Sequence, residues 1–296
     1  MSQPVSRPAS QPASAPASRL ALEPRLPAQV ALFRFDAHRS GRSPVAIPRQ
    51  RPRLLWRFAT KRPVATQPLV DALGDVYVAS LDGHVYALTK GGKLRWSHAV
   101  GARIFATPAL TAQGLLVGAD DETLRLLELE KGQVRWRKTI GACAKLPGMG
   151  MDRVRCQIDA SPLVGPEGTA AYVASDALYA VGLERGEIRW RGALPGHAFA
   201  SPTLGPRGLV VMGTKAMAVV ALDSRAQGRQ SWRWGAQYNC DATAAVAAAA
   251  PLDVREVTHR GPEPILLDAD RAARHLGALE TALRRPGPAL AERVVD

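Results

Sequence analysis

Cysteine is scarce in this chain: Cys143, Cys156 and Cys240 are all that it has. No Cys-x-x-Cys and no paired histidine accompanies them, so a zinc site lacks its remaining ligands. The six histidines (His38, His84, His98, His197, His259 and His275) are scattered and read as surface or turn residues. There is no Gly-x-Ser-x-Gly, no P-loop and no pair of dinucleotide-binding glycines, so none of the common short catalytic or phosphate-binding motifs is present. No apolar run approaches the ~18 residues that cross a bilayer. No apolar stretch of roughly 7–15 residues follows Met1, so no secretory signal is written here. Read literally, the protein is cytoplasmic. With a signal upstream of Met1 it is periplasmic or otherwise extracytoplasmic, and its N-terminal tail is then a tether.

Aromatics are also few, at 5% of the chain, yet six of them are tryptophan. Trp56, Trp96, Trp136, Trp190 and Trp232 recur at intervals of 40, 40, 54 and 42 residues, with Trp234 as an extra. A second marker keeps step: Pro68, Pro108, Pro162, Pro202 and then Ala244. The gap from tryptophan to marker is 12 residues in four of five cases; the exception, Trp136 to Pro162, carries a 14-residue insertion. A fixed period of this size indicates stacked units, none of which buries its apolar face alone. Within each unit the period is two. Val76, Val78, Val85 and Ala87 flank the turn Asp82-Gly83, and the pattern returns around Asp120-Asp121-Glu122, Ser175-Asp176 and Thr214-Lys215. These read as β-hairpins. A glycine turn and a strand ending in tryptophan follow each, and a short strand belongs at the marker proline, where a missing N–H is tolerated. About four strands per unit make a propeller blade, so the fold class expected is all-β.

The segments VYVASLDGHVYAL…KLRW, GLLVGADDETLRLLELEKGQVRW and AAYVASDALYAVGLERGEIRW resemble the pyrroloquinoline-quinone (PQQ) type propeller repeat. RFDAHRSGRSP, from Arg34 to Pro44, resembles the stretch that often precedes the first blade in that family. The resemblance covers residues 34 to 246. It implies that Trp56, Trp96, Trp136, Trp190 and Trp232 dock neighbouring blades. An indole buries about 150–250 Å² and has an N–H to donate, worth a few kcal/mol at about 25 cal/mol per Å². The repeat occurs in quinoprotein alcohol dehydrogenases, which use PQQ and calcium. It occurs also in non-enzymatic bacterial propellers such as the outer-membrane assembly scaffold lipoprotein. Many of the enzymes carry adjacent cysteines, and this chain has no Cys-Cys. No residue here matches their catalytic acid.

The flanks differ from the repeats. Residues 1–30 are Pro/Ala/Ser-rich and read as a disordered tail. Residues 31–62 form a basic linker, and residues 1–62 together hold 12 Lys or Arg against Glu23 and Asp36, most of the chain's net +13. Without interleaved aromatics for base stacking, this linker is not read as a nucleic-acid site. Leu54 to Phe58 reads as a strand that closes a blade whose other strands lie elsewhere. The repeats occupy residues 63–246. The insertion before Pro162 holds Cys143 and Cys156; a disulfide between them gains roughly 3 kcal/mol in an oxidising compartment, and three reduced thiols are the alternative. Residues 247–296 lack a strand pair and a closing tryptophan. Asp268 to Arg285 reads as one helix, capped by Asp268 and ended by Pro286. This shift is either an appended helical tail or the frame-shifted end of a longer propeller gene.

No constellation of reactive groups stands out, so catalytic, cofactor and metal residues are expected to be absent. Asp120-Asp121-Glu122 reads as a solvated turn. Asp159 and Asp241, which recur just before the marker, read as bonding nearby backbone N–H groups, with the channel rim as the alternative. The function expected is a non-enzymatic propeller that binds a protein partner. A partner chain or a second copy completes a short, open ring, since unpaired edges recruit other chains. The alternatives are a quinoprotein fragment, using PQQ and calcium, and a ligand-sensing propeller.

Overall fold

The computed structural model describes residues 31–43, 51–141 and 157–246. The Cys143–Cys156 pair, the tail at 1–30 and the helix at 268–285 lie outside the described residues. The expected four-stranded blades are there. Blade I comprises β1 (Leu69–Val70), β2 (Val76–Ala79), β3 (His84–Leu88) and β4 (Leu94–Ala99). Blade II comprises β5 (Ala109–Thr111), β6 (Gly114–Gly118), β7 (Thr123–Leu127) and β8 (Val134–Thr139). Blade III comprises β9 (Leu163–Val164), β10 (Ala170–Ala174), β11 (Ala177–Gly182) and β12 (Ile188–Ala193). Blade IV comprises β13 (Thr203–Leu204), β14 (Leu209–Thr214), β15 (Ala218–Asp223) and β16 (Arg229–Gly235). Each is an antiparallel meander with strands in sequence order, and each first strand begins just after its marker proline or within one residue of it.

Period-two alternation places the two side-chain sets of each middle strand on opposite faces. Here both faces are covered. Leu115 and Val117 of β6 pack with Tyr77, Val85 and Ala87 of blade I. Leu116 on the same strand packs with Val173, Tyr179 and Val181 of blade III. A third core joins Tyr172, Leu178 and Ala180 of blade III to Val210, Met212 and Val220 of blade IV. The middle strands are therefore apolar throughout, as in any sheet buried on both sides. Beyond blade IV the core thins to Leu209, Val211 and Ala221, with Val219, Trp232 and Ala244 half-buried beside them. Among the described residues no core joins blade IV back to blade I, so the blades form an arc.

All four outer strands share one irregularity. Trp96 faces Ala87 while Leu94 faces Leu88, leaving Arg95 as the extra residue of a bulge. Arg135, Arg189 and Ser231 occupy the same place before Trp136, Trp190 and Trp232. A bulge re-aims the following side chain and sharpens the twist; here it stands beside each tryptophan that faces the next blade.

The closing strand expected at Leu54 to Phe58 is not formed. Residues 51–60 hold no ladder partner among the described residues, and Leu54 and Leu55 are 75% and 72% exposed. Strand-forming residues make a strand only beside an edge, and the arc presents none there. The side chains still seat: Trp56 lies on Gly92, and Phe58 meets Tyr86 edge-on at 5.3 Å.

Candidate functional site

Residues 31–43 run along the inner strands of the arc. Left-handed backbone at Arg34, Phe35, Arg39 and Gly41 folds them into successive turns. The N–H groups of Leu110, Leu204 and Val246 donate to the carbonyls of Ala31, Ala37 and His38 at 2.9, 2.9 and 3.0 Å. Ala31, Leu32 and Ala37 contribute to the interblade cores. This strap touches every blade lead-in. The motif RFDAHRSGRSP signals it in the sequence, but the absence of periodicity hides where it goes.

Arg39 is the centre of the strap and is fully buried. Its guanidinium donates to the carbonyls of Phe33 (2.7 Å), Ser161 (3.1 Å), Pro162 (2.9 Å) and Pro202 (3.2 Å). Five N–H donors in a planar fork suit several carbonyls converging from two blades. Burial lowers its pKa to about 10, against the pull of nearby Asp36, so the group remains charged at neutral pH. Asp36 itself holds the hydroxyl and backbone N–H of Ser40. His38, expected on the surface, points inward, its Nδ1 bonding the Leu204 carbonyl at 2.8 Å; that bond places the proton on Nδ1.

A ladder of hydroxyls links the blades beneath the strap. The N–H of Gln67 donates to Thr107 Oγ1 (2.9 Å), that of Thr107 to Ser161 Oγ (3.0 Å), that of Ser161 to Ser201 Oγ (2.9 Å), and that of Ser201 to Thr243 Oγ1 (3.1 Å). Each rung spans one blade. The signal was in the sequence, since Thr107, Ser161, Ser201 and Thr243 immediately precede the second marker.

At the outer rim the tryptophans clamp neighbours. The indole N–H groups of Trp56, Trp96 and Trp136 donate to the carbonyls of Lys90 (3.0 Å), Leu129 (2.9 Å) and Leu183 (2.8 Å) on the next blade. Trp56, Trp96, Trp136 and Trp190 each cover a glycine, Gly92, Gly132, Gly186 and Gly228, where a Cβ would come within 2.4–2.6 Å of the ring. Those glycines also hold φ of 69° to 78°, a conformation that side chains resist. Trp232 differs: its N–H is shielded and has no acceptor among the described residues.

Two carboxyl groups from different blades meet. Asp120, expected in a solvated turn, is largely buried and pairs with Arg103 at 2.8 Å. Asp159, expected to bond backbone N–H groups, instead lies within hydrogen-bonding reach of Asp120. Burial, then the Asp120 charge, raises the Asp159 pKa to about 6; burial also raises Asp120, against Arg103. The Oδ1 of each has no partner among the described residues, and protonated Asp159 is placed to donate to Asp120. Asp241 pairs with Lys215 at 2.7 Å rather than with backbone. Burial, then Asp241, raises the Cys240 thiol, which makes it a poor nucleophile at neutral pH.

Because Asp159 titrates above its unfolded value, the stability linked to it is full below about pH 4 and is lost as pH rises through about 6. Asp159→Asn is therefore expected to flatten the stability profile across that window and to gain about 1–2 kcal/mol at pH 7, allowing for solvent screening. Urea denaturation at a series of pH values checks this; an unchanged profile would remove the proton held by Asp159.

Tryptophan-clamped, four-stranded blades in sequence order define a β-propeller of the PQQ-type repeat. The model of the family described as outer membrane protein assembly factor BamB matches residues 45–152 and 147–258, and the chain belongs to that family. No curated protein matches it. Among solved structures it is similar to BamB from Moraxella catarrhalis (14% identity, 62% of this chain and 68% of that one, TM-score 0.44). It is similar also to a quinohemoprotein alcohol dehydrogenase from Comamonas testosteroni (17% identity, 73% and 42%, TM-score 0.55). A second such enzyme, from Pseudomonas putida, has 17% identity, 61% and 35% coverage and a TM-score of 0.50. The chain spans less than half of either dehydrogenase, and at these identities the likeness is one of fold. No three His, Cys, Asp or Glu side chains converge among the described residues, and the strap with buried Arg39 fills the axial side of the inner strands.

Proposed function

We propose that this chain is a non-enzymatic propeller module that binds a protein partner, in the cell envelope. The observation that carries this reading is the strap. Where a propeller's axis would receive a small molecule, residues 31–43 bond to the lead-ins of the blades, which leaves the outer surfaces and the ends of the arc for binding. The family's description as an assembly factor supports a role among proteins. The test combines two measurements on the full chain. Photo-crosslinking residues set into each blade in cells are expected to give a discrete protein adduct. Titration with PQQ and calcium is expected to give neither a spectral shift nor dye-linked alcohol oxidation. Stoichiometric quinone binding with dye reduction would reverse the reading in favour of a quinoprotein.

A further inference from the structure

Charge in this chain is sorted by position in the blade. The last strand of each blade lies at the edge of its sheet, with no strand beyond it among the described residues. These strands and the turns that lead into them, with the extended stretch around Trp56, cover residues 51–57, 90–99, 130–139, 184–193 and 225–235. They hold 16 Lys or Arg against Glu130, Glu184 and Glu187. Every one of those cations except Arg95 is exposed. The rest of residues 63–141 and 157–246 has the opposite sign, with 12 Asp or Glu against Arg103, Arg125, Arg207 and Lys215. The blades are negative in their inner parts and positive along their outer margin.

Charge on an unpaired edge guards it against pairing with other strands. Two observations go beyond a guard. Charges of mixed sign would serve as well, yet here the signs are segregated. The residue two before the tryptophan is also aliphatic and exposed on four of the five segments: Leu54, Leu94, Val134 and Ile188, at 75%, 50%, 41% and 40%. A guard has no use for bare aliphatic groups among its arginines. The rings of Trp56, Trp96, Trp136 and Trp190 lie on glycines of the next blade, so this margin does not offer them to a stacking base.

We infer that the outer margin of blades I and II, formed by β4 and β8, docks on an anionic lipid bilayer. Lys and Arg are attracted to the headgroup phosphates of such a leaflet. Their long stems lie along apolar surface while the charge stays in the polar layer, which lets neighbouring aliphatic groups reach the acyl boundary. The turn into β8 and the strand itself form the centre: Lys131, Arg135, Arg137 and Lys138 surround Val134, with Glu130 as the one acid. Leu94 on β4 repeats the arrangement beside Lys93 and Arg95. The same chemistry recurs on successive blades instead of forming one shaped pocket. That suits a plane of repeating headgroups better than the contours of a single protein. The inference adds a surface to the protein-binding reading above and does not rest on it, since the other surfaces of the arc remain for a partner.

Vesicle flotation of the full chain at low salt tests this. Vesicles of three parts phosphatidylcholine to one part phosphatidylglycerol are expected to carry the chain, and vesicles of phosphatidylcholine alone to leave it behind. Raising the ionic strength is expected to release it. R135Q/R137Q is expected to bind about 20–30-fold more weakly, about fivefold for each cation lost from an anionic surface. R42Q/R207Q removes as much charge from exposed positions away from the margin and is expected to stay within about twofold of the wild type. L94S/V134S is expected to bind several-fold more weakly with the same salt dependence. All six substituted residues are exposed, and circular dichroism checks that each variant folds. A folded wild-type chain that does not float with the anionic vesicles overturns the inference. Equal losses for the two arginine pairs overturn it too, by assigning the binding to total charge. So does full affinity of L94S/V134S, the result for an edge that meets any polyanion, such as an acidic protein or a nucleic acid, through charge alone.

Discussion

Arg39→Met is expected to lower the unfolding free energy by about 3–5 kcal/mol, the range for stripping one partner from a buried charged contact. Methionine keeps much of the stem volume, so the loss isolates the guanidinium. Without it, the carbonyls of Phe33, Ser161, Pro162 and Pro202 lose their donor in a site closed to water. Of its hydrogen bonds to the blades the strap then keeps the three backbone bonds and the His38 and Gln67 contacts, beside the packing of Ala31, Leu32 and Ala37. Arg39→Lys is expected to recover little, because one ammonium cannot serve carbonyls arriving from two blades. Urea midpoints for both variants, read with the proteolytic susceptibility of residues 31–43, provide the check. A loss below about 1 kcal/mol, the ordinary worth of one neutral hydrogen bond, would show that the strap is held by its backbone alone.

The second large effect is expected at Trp136. Truncation to alanine empties the space over Gly186 and removes the bond to the Leu183 carbonyl, at a cost of about 3–5 kcal/mol. Trp136→Phe is expected to lose about 1–2 kcal/mol, since it keeps most of the ring and forfeits the N–H. Trp232→Ala provides the internal contrast. With no glycine beneath it and no acceptor among the described residues, its removal is expected to cost about 1 kcal/mol of packing against Leu209 and Val211. Thermal and chemical denaturation of the three variants in parallel separates a ring clamped on the next blade from one packed only within its own. Equal losses at Trp136 and Trp232 would contradict the interblade role.

The blades were legible in the sequence because everything that makes them is local. Val76 to Ala87 alternate about a tight turn, and Gly92 to Trp96 sets the next strand; both patterns fit inside one period. Trp56 could be placed by counting, and its indole lies where the count puts it, although its backbone has no strand to join. What escaped was long-range. Asp120 and Asp159 sit on different blades, and nothing in either neighbourhood announces the other. Thr107, Ser161, Ser201 and Thr243 each stand one residue before a marker, but nothing local says that their hydroxyls reach the blade before. The strap was visible as a motif, yet its partners are scattered from Gln67 to Val246. A motif without periodicity carries no geometry of its own.

The strap has a consequence for how the chain is made. It is made before every blade, but His38 finds Leu204, 166 residues later, only when blade IV has emerged. Each blade meets its neighbour soon after synthesis, so the stack can grow vectorially from one end. The contacts that close the strap have high sequence separation and are entropically late. Until then Arg39 is an unshielded cation on an undocked segment, and the docked strap is signalled by its disappearance from water. A chain that lacks blade IV and one that has it therefore differ in what they display at residues 31–43, which gives a chaperone or protease a way to tell them apart.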